Sequence, residues 1–495
     1  MRDGYQFSLD KDLSRNLMSI KNSLHGSAEL IIREMIAESD VDSVQCRMAV
    51  LYMDGLADRL IINEYILQPL LAWKPVTGSP AEVSGKISTG AILRSNSMEE
   101  ALEHLINSST IILIDGFEEV IIICTEGWEH RAVSAPATES SILGPQDSFN
   151  EVLRVNTALL RRRIKDSRLV VATEHAGKRS KTCVTVMYLE DVVNPKMVDE
   201  VKRRLDEFDG DMLVDSSQLA EILEDQPWSP FPQIAYTERV DRTAAAIMEG
   251  RVAVLVDGTP FALYMPITFA ETMFSNDDYY TKFYFATFIR WIRVLALIIA
   301  LLLPSIYIAV SSFHQEMVPT ELMIMMAANR TGVPFPTLVE AFLIETTFEL
   351  LREASIRMPG SFGQTIGIVG ALVIGQAAVQ ANLIGPVLTV IVSFTAIGSF
   401  VIPSYQSALA LRMLRFPMMI LAGTMGLFGI IVGCSLILIH MVRIHSFGIP
   451  YMTAFTPDKL GEIDDSLLLK KPGFLQLRRP GFLKPQQMVR RSKRN

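Results

Sequence analysis

Residues 361–385 combine small, apolar and amide side chains in a pattern that is typical of a helix lining an ion path. On a helix, one narrow face carries Thr365, Val369, Val373, Gln376 and Gln380. Valines on such a face would form a hydrophobic gate, which closes by dewetting, and glutamine amides would replace part of an ion's hydration shell. The other side carries small residues that allow close helix packing in lipid: Gly363, Gly367, Gly370, Ala371, Ala378 and Ala381. The alternative is a packing helix whose two amides bond to neighbouring helices.

An acidic stripe forms a second candidate site. Glu345 and Glu349 are one helical turn apart, and Arg352 follows on the same face. Ionisable groups at membrane depth mark ion paths, so this interpretation makes the two glutamates the vestibule of a cation path. The alternative is local ion pairing of Glu349 with Arg352, and of Glu353 with Arg357, on a helix at the membrane interface.

The sequence lacks the usual motifs for catalysis and metal binding. The segment Ser84-Gly85-Lys86-Ile87 has neither the glycine spacing nor the hydroxyl of a phosphate-binding loop, and no Gly-x-Ser-x-Gly elbow occurs. The cysteines are widely separated, which favours reduced, structural thiols: Cys46, Cys124, Cys183 and Cys434. We therefore expect a protein that is not an enzyme, has no catalytic residue, metal or cofactor, and binds no nucleic acid.

The elements that must position the candidate residues are long uncharged stretches. A bilayer core of roughly 30 Å needs about 20 apolar residues in a helix. The sequence meets this requirement at about 291–311, 363–383, 386–403 and 416–442. The expected partner of this part of the chain is therefore membrane lipid.

Two features complicate the membrane segments. Pro304 predicts a kink in the first span, and Arg290, Trp291 and Arg293 stand at its start as interfacial anchors. The segment 320–357 is interrupted by Gly332-Val-Pro-Phe-Pro336, which must break a helix. This segment is either amphipathic or a further membrane segment.

The charge pattern leaves the number of spans open. With four spans both termini lie in the cytoplasm and the basic tail obeys the positive-inside rule, but Arg412 and Arg415 fall outside. A fifth span within 320–350 corrects these arginines and exports the tail. We favour both termini inside. The polar N-terminus lacks the apolar core of a signal peptide, which also leaves the N-terminal region in the cytoplasm.

The first 280 residues read as a charged globular region with a repeated pattern. Residues 10–37 have apolar positions at helical spacing, which predicts a docking helix within an N-terminal helical segment, residues 1–40. The segment Met48-Ala-Val-Leu-Tyr-Met-Asp54 resembles Val184-Thr-Val-Met-Tyr-Leu-Glu190, and Leu113-Ile-Asp-Gly116 resembles Leu255-Val-Asp-Gly258. Such runs predict buried strands that end in turns. We therefore predict two tandem α/β subdomains, 41–135 and 136–280, the second including a linker helix.

Two basic segments complete the organisation. The run Arg161-Arg162-Arg163 in the linker helix is typical of a solvated face. Residues 446–495 form a basic tail, whose repeated Pro-Gly-Phe-Leu motif, with Phe474 and Phe482, either binds anionic lipid or is disordered. The predicted fold class is thus an α/β soluble N-terminal region followed by an α-helical multi-span membrane domain, residues 281–445.

Together these residues resemble the A-subunit of the GerA-type spore germination receptors over roughly residues 12–457. In the N-terminal half the landmarks are Tyr52-Met-Asp-Gly-Leu56, Gly144-Pro145, Phe149-Asn-Glu151, Arg161-Arg162-Arg163, Thr237-Glu238-Arg239, Gly250-Arg251-Val252, Asp257-Gly258-Thr259-Pro260-Phe261 and Asp278-Tyr279-Tyr280. In the membrane half they are Gly332-Val-Pro-Phe-Pro336, Arg352-Glu353-Ala354, Ile366-Gly-Ile-Val-Gly370 and Ile374-Gly-Gln-Ala-Ala378. The sequence departs from the family pattern at Leu143, Gln146 and Val240, so a stage-V sporulation paralogue, SpoVAF-like, is the alternative within the family.

The resemblance implies a subunit of a nutrient-sensing complex in the inner membrane of the spore, with the N-terminal region facing the spore core. It also implies a transporter-like B-subunit and a lipoprotein C-subunit as partners, and a homo-oligomeric ring that conducts ions when nutrient binds. The pore-helix interpretation of residues 361–385 gains support from this resemblance. A pore-less scaffold subunit and a secondary transporter remain the alternative functions.

Overall fold

The structure, a computed structural model of the 495-residue chain, describes residues 9–38, 45–75, 78–89, 91–125, 136, 138–358, 375–453 and 467–490. These residues divide into two compact units. The first lies within Met1–Pro227, Ile234–Pro266 and Gln476–Asn495, and the second within Trp228–Gln233 and Ile267–Leu475.

The first unit is built around two antiparallel five-stranded sheets. One sheet contains β1 (Leu30–Glu38), β2 (Gln45–Met53), β3 (Ile92–Ser95), β4 (Ser109–Ile114) and β5 (Val120–Cys124). The other contains β6 (Leu169–Ala176), β7 (Thr182–Leu189), β8 (Ala235–Thr237), β9 (Val252–Val256) and β10 (Ala262–Met265). Their strand orders are β1-β2-β4-β5-β3 and β6-β7-β9-β10-β8, so the second sheet repeats the topology of the first.

Helices cover these sheets. Around the first sheet lie α1 (Leu13–Ser23), α2 (Arg59–Ile61), a π-helical turn (Ile62–Leu67), α3 (Gln68–Ala72), α4 (Pro80–Ser84) and α5 (Met98–Ile106). Around the second lie α6 (Leu153–Arg163), α7 (Pro195–Asp206), α8 (Ser216–Leu223) and α9 (Val240–Glu249). Every residue of β4 and β9 is buried, because helices pack on both faces and the β-branched side chains fill the layers between.

A repeated set of hydrogen bonds confirms that the two sheets belong to equivalent subdomains. Asp115, after β4, accepts a bond from the backbone N–H of Leu13 at 3.0 Å. Asp257, after β9, accepts the same bond from Leu153 at 3.2 Å. Each Asp-Gly turn therefore also holds the first turn of the helix that begins its subdomain. The N-terminal region thus contains two β-sheets of the same topology, while the predicted bounds 41–135 and 136–280 stay a prediction.

Residues 24–37 differ from the sequence prediction of one helix over 10–37. Helix α1 ends at Ser23, and Gly26 then turns the chain with φ 65°. Strand β1 follows and pairs with β2 along its full length. The run from Leu30 to Ile36 was wrongly assigned to a helix because apolar spacing alone does not include the long-range pairing partner.

The part of the basic tail within the first unit is ordered against the second subdomain. The side-chain amide of Gln486 donates to the carbonyl oxygens of Glu190 and Val193, both at 2.9 Å. The guanidinium of Arg479 donates to the carbonyl oxygen of Met248 at 2.8 Å. Residues 476–490 are therefore part of this unit, which argues against a fully disordered tail.

The second unit is helical, apart from the short strands β11 (His445–Ser446) and β12 (Ile449–Pro450). Its helices are α10 (Phe269–Thr272), α11 (Asp277–Tyr280), α12 (Phe283–Ser312), α13 (Thr320–Arg330), α14 (Thr337–Arg357), α15 (Pro386–Val401) and α16 (Tyr405–Arg443). In the described part of the chain, α12 and α16 are long and apolar enough to cross a bilayer. Helix α15 is apolar but shorter, at 16 residues. The break predicted at residues 332–336 separates α13 from α14.

Helix α16 is not one straight span, as the sequence predicted for 416–442. Gly426 has non-helical angles, φ 64° and ψ −141°. A Cβ on Gly433 would overlap the Sδ of Met418, whereas a straight helix would separate these residues by about 22 Å along its axis. The two halves of α16 therefore fold back on each other as a helical hairpin.

The hairpin runs alongside α12 and returns to the end where α12 begins. A Cβ on Gly426 would lie 3.1 Å from the Cβ of Phe313, which follows the last residue of α12. At the opposite end, the backbone N–H of Phe269 donates to the carbonyl oxygen of Tyr451 at 3.0 Å. The segment before α12 thus packs with the segment after α16, so the two ends of the helical region lie together.

Candidate functional site

The predicted ion-path face is described only at its C-terminal end. Residues 375–380 are helical, and Gln376 and Gln380 are both exposed on them. Thr365, Val369 and Val373 lie outside the described residues. The proposed gate therefore stays a prediction, while the two amides are found on the surface of the single chain.

The predicted vestibule glutamates lie in a buried network of charges between α14 and α16. Glu345 and Arg415 form an ion pair at 2.6 Å, and their side chains are only 2% and 3% exposed. The Nε of Arg415 also donates to the carbonyl oxygen of Ala300 in α12 at 2.8 Å. This carbonyl lies in the turn before Pro304, which has no N–H to donate back to it. The pair therefore ties three helices together.

One turn further along, Glu349 bridges two arginines. Its carboxylate accepts from Arg412 at 3.1 Å and lies 3.5 Å from Arg352. Arg352 in turn donates to the hydroxyl of Ser399 at 3.0 Å, and its guanidinium lies over the ring of Phe400 at 4.5 Å. Local pairing of Glu349 with Arg352, the alternative predicted from the sequence, is present together with this longer-range bond.

A third buried glutamate, at the start of α14, contacts the end of α13 and the residue before α15. The side chain of Glu340 is fully buried and accepts a bond from the backbone N–H of Gly385, the residue before α15. Its other oxygen lies 3.7 Å from Arg330 at the end of α13. Glu340 thus links the start of α14 to both neighbouring segments, a role that the sequence did not predict.

The network holds more positive charge than its pairs use. Arg352, Arg412 and Arg415 share two glutamates, Glu345 and Glu349. One side-chain atom each of Glu345, Arg412 and Arg415 has no hydrogen-bond partner. Beside them a cavity of about 340 Å³ is lined by Thr346, Glu349, Leu350, Arg352, Glu353, Ile356, Tyr405, Leu409, Arg412 and Phe416. Because unpaired polar atoms are costly inside a protein, this arrangement favours a structural or switching role over tight packing alone.

Arg412 and Arg415 were not predicted from the sequence to be partners of the glutamates. The predicted span began at 416 and left both arginines outside, but α16 begins at Tyr405 and includes both. Their spacing of three residues matches the four-residue spacing of Glu345 and Glu349 on a facing helix. That complementary spacing was the available signal.

The arginines at the start of α12 are also paired rather than free anchors. Asp278 lies 3.3 Å from Arg290 and 2.7 Å from Arg293, and all three side chains are buried. Trp291 does remain exposed, and its indole N–H donates to the carbonyl oxygen of Leu468 at 3.0 Å. Among the residues that the structure describes, no cluster of His, Cys, Asp and Glu has the makeup of a metal site.

Comparison with known proteins assigns this architecture to a family. The model of the Bacillus/Clostridium GerA spore germination protein family matches residues 18–482. Spore germination protein KA of Bacillus subtilis is 37% identical over 98% of this chain and 89% of its own length. The uncharacterized membrane protein YfkQ of the same organism is 36% identical over 97% of this chain and 93% of its own. Spore germination protein GerLA of Bacillus cereus is 36% identical over 96% of this chain and 97% of its own.

A solved structure is also similar. It is the N-terminal domain of the A subunit of the Bacillus megaterium spore germinant receptor GerK3, with 29% identity and a TM-score of 0.43 over 54% of this chain and 99% of that one. The family match covers both units of the chain, and the relatives are similar over nearly their whole lengths. The chain belongs to the GerA family of spore germination receptor A-subunits.

Proposed function

We propose that this chain is the membrane subunit of a spore nutrient germinant receptor and that copies of it assemble into an ion channel opened by the nutrient. The observation that carries the proposal is the exposure of Gln376 and Gln380 at the end of the uncharged segment 361–385. Amides are costly to leave in lipid, so a partner copy or a water path must receive them. A ring of copies supplies both.

The hairpin of α16 supports a membrane topology with both ends of the helical region on the core side. The turn of the hairpin lies next to the end of α12, and the segments before α12 and after α16 pack together. Arg412 and Arg415 then need no position in a cytoplasmic loop, because Glu349 and Glu345 neutralise them inside the bundle. In the proposed topology these arginines therefore do not conflict with the positive-inside rule.

The receptor would sit in the inner membrane of the spore with a transporter-like B-subunit and a lipoprotein C-subunit. Relatives named as germination proteins support this assignment. Nutrient binding to the complex would change the ring, wet the valine gate at Val369 and Val373, and release ions from the spore core. The proposed process needs only a conformational change.

Reconstitution into liposomes tests the channel directly. Purified protein should give single-channel currents, and Val369→Ala should raise the open fraction because a smaller side chain lowers the cost of wetting the gate. Val390→Ala is the matched control, since Val390 is exposed on α15 and outside the predicted pore face. The channel would be overturned if neither the unchanged chain nor Val369→Ala gave single-channel currents in the presence of the partner subunits and nutrient.

One observation favours a pore-less scaffold as the second candidate. Glu345 and Glu349, predicted to form a vestibule, are used in ion pairs within the single chain. If these pairs only stiffen the bundle, the subunit couples its partners without conducting. Spores carrying Val369→Ala would then germinate with normal ion release, whereas the channel predicts leakage without nutrient.

A further inference from the structure

Helix α14 carries one more regularly spaced glutamate than the first half of α16 pairs with. Helix α14 carries Glu345, Glu349 and Glu353 at intervals of four residues. The facing helix carries Arg415, paired with Glu345, and Arg412, paired with Glu349. The higher-numbered glutamate pairs with the lower-numbered arginine, so the two helices are antiparallel at this contact.

We infer that α14 can slide one helical turn along α16 into a second register in which Arg415 pairs with Glu349 and Arg412 pairs with Glu353. A one-turn step is about 5.4 Å, and steps of this kind are an established way for packed helices to switch between two states. Both arginines keep a carboxylate partner in each register. The shift leaves Glu345 as the group that gains or loses its pair.

The cavity next to Arg412 supports this second register. Glu353 and Arg412 line the same cavity, which has a volume of about 340 Å³. The glutamate that would pair with Arg412 in the second register therefore already borders the same open space as this arginine. At present Glu353 pairs with Arg357 at 2.6 Å, where both side chains are largely exposed. An exposed pair contributes little stability and is easily exchanged.

The packing of α14 also allows movement. Helix α12 packs extensively against α15 and α16, whereas α14 packs lightly against all three. The non-helical residues 332–336 before α14 give it a hinge. In the present register Arg412 Nε, Arg415 Nη2 and Glu345 Oε1 have no hydrogen-bond partner, so this register does not satisfy its charges fully.

The cost of the shift falls on two buried glutamates of α14: Glu345 would lose Arg415, and Glu340 would lose its bond from the backbone N–H of Gly385. An unpaired buried charge is strongly unfavourable, so the observed register is the resting one. A signal that offsets this cost would move the helix. The inference concerns the register alone and holds whether or not the chain conducts ions.

Cross-linking measures the register. In a full-length chain whose four cysteines are replaced by alanine, F342C with F416C reports the resting register, because the rings of Phe342 and Phe416 are 5.6 Å apart. T346C with F416C reports the shifted register, because a slide of one turn brings residue 346 of α14 to the place that residue 342 occupies at rest. Both pairs are oxidised in isolated membranes, and the ratio of the two cross-links is compared between charge variants.

Glu345→Gln should raise the T346C–F416C fraction relative to F342C–F416C by roughly fivefold or more, because the resting register loses its own pair. Glu353→Gln should lower that fraction while leaving both resting pairs intact, which also guards against a misfolded variant. Glu321→Gln, on the exposed face of α13, is the matched control and should not change the ratio. A ratio that is the same in all three variants would overturn the second register.

Discussion

Arg161 and Glu29 form a buried ion pair at 2.9 Å that joins helix α6 to the loop before β1, across 132 residues of sequence. The Arg161 side chain is 0% exposed, and its Nη1 also donates to the carbonyl oxygen of Asp166 at 3.3 Å. The pair therefore holds the helix that opens the second subdomain against the first. Its burial makes it sensitive to the loss of either partner.

Arg161→Ala should destabilise the contact between the two subdomains by about 3–5 kcal/mol, because Glu29 would keep an uncompensated buried charge. Hydrogen–deuterium exchange of the full-length protein in detergent checks this, with loss of protection expected in β1 and α6. Arg163→Ala is the matched control. Arg163 pairs with Asp147 at the surface, where a pair contributes about 0–1 kcal/mol. Equal protection in both variants would contradict the role given to Arg161.

The burial of Arg161 could not be predicted from the sequence. The run Arg161-Arg162-Arg163 reads as a solvated face, and only the distant Glu29 reveals that one member is buried. The strands closed by Asp54-Gly55 and Asp115-Gly116 were predictable, because local turn chemistry and apolar runs coincide there. β1 was not, since its pairing with β2 is a tertiary choice that overrides helical spacing.

The same distinction applies to the candidate site. The spacing of Glu345 and Glu349 identified them as unusual residues, and the structure does place them inside a charged network. Their partners, Arg412 and Arg415, come from a helix more than 60 residues away, and hydropathy placed the start of that helix at 416, too late to include them. An apolar stretch such as 416–442 gives length but not the reversal at Gly426, which depends on one residue's backbone angles.

The thiol of Cys46 should resist alkylation. Burial, followed by the nearby charges of Glu82 and Asp115, raises its pKa to about 11. Little thiolate is therefore present at pH 8, whereas Cys124 is exposed and serves as an internal control. Mass spectrometry after brief iodoacetamide treatment should find Cys124 modified and Cys46 intact at pH 8.

The same shift predicts a loss of stability in alkaline solution. The folded state holds the Cys46 proton up to about pH 11, while the unfolded state releases it near the ordinary value of 9.0. The stabilising effect is complete below pH 9 and disappears as the pH rises through 11. Cys46→Ala should flatten the fall in thermal stability between these values, and an unchanged slope would contradict the shift.

Gly426→Ala should destabilise the helical hairpin. A left-handed φ of 64° costs a residue with a Cβ roughly 1–2 kcal/mol, and that Cβ would also lie 2.7 Å from the Cε1 of His314. The melting temperature in detergent, measured by the loss of the monodisperse elution peak, should fall. Gly473→Ala is the control, because a Cβ there would meet nothing within 4 Å. Equal melting temperatures would mean that the reversal at Gly426 is not required.

Asp278→Asn should strongly destabilise the helical unit at the start of α12. One carboxylate holds both Arg290 and Arg293, at 3.3 and 2.7 Å, and all three side chains are buried. Removing its charge breaks the buried pair with Arg293, and the loss of one such pair costs about 3–5 kcal/mol. The detergent melting temperature should fall sharply, and restoring an acid with Asp278→Glu should recover part of the loss. Glu316→Gln, at an exposed position after α12, is the control and should have a small effect. Equal melting temperatures of Asp278→Asn and Glu316→Gln would show that the triad is a minor contact.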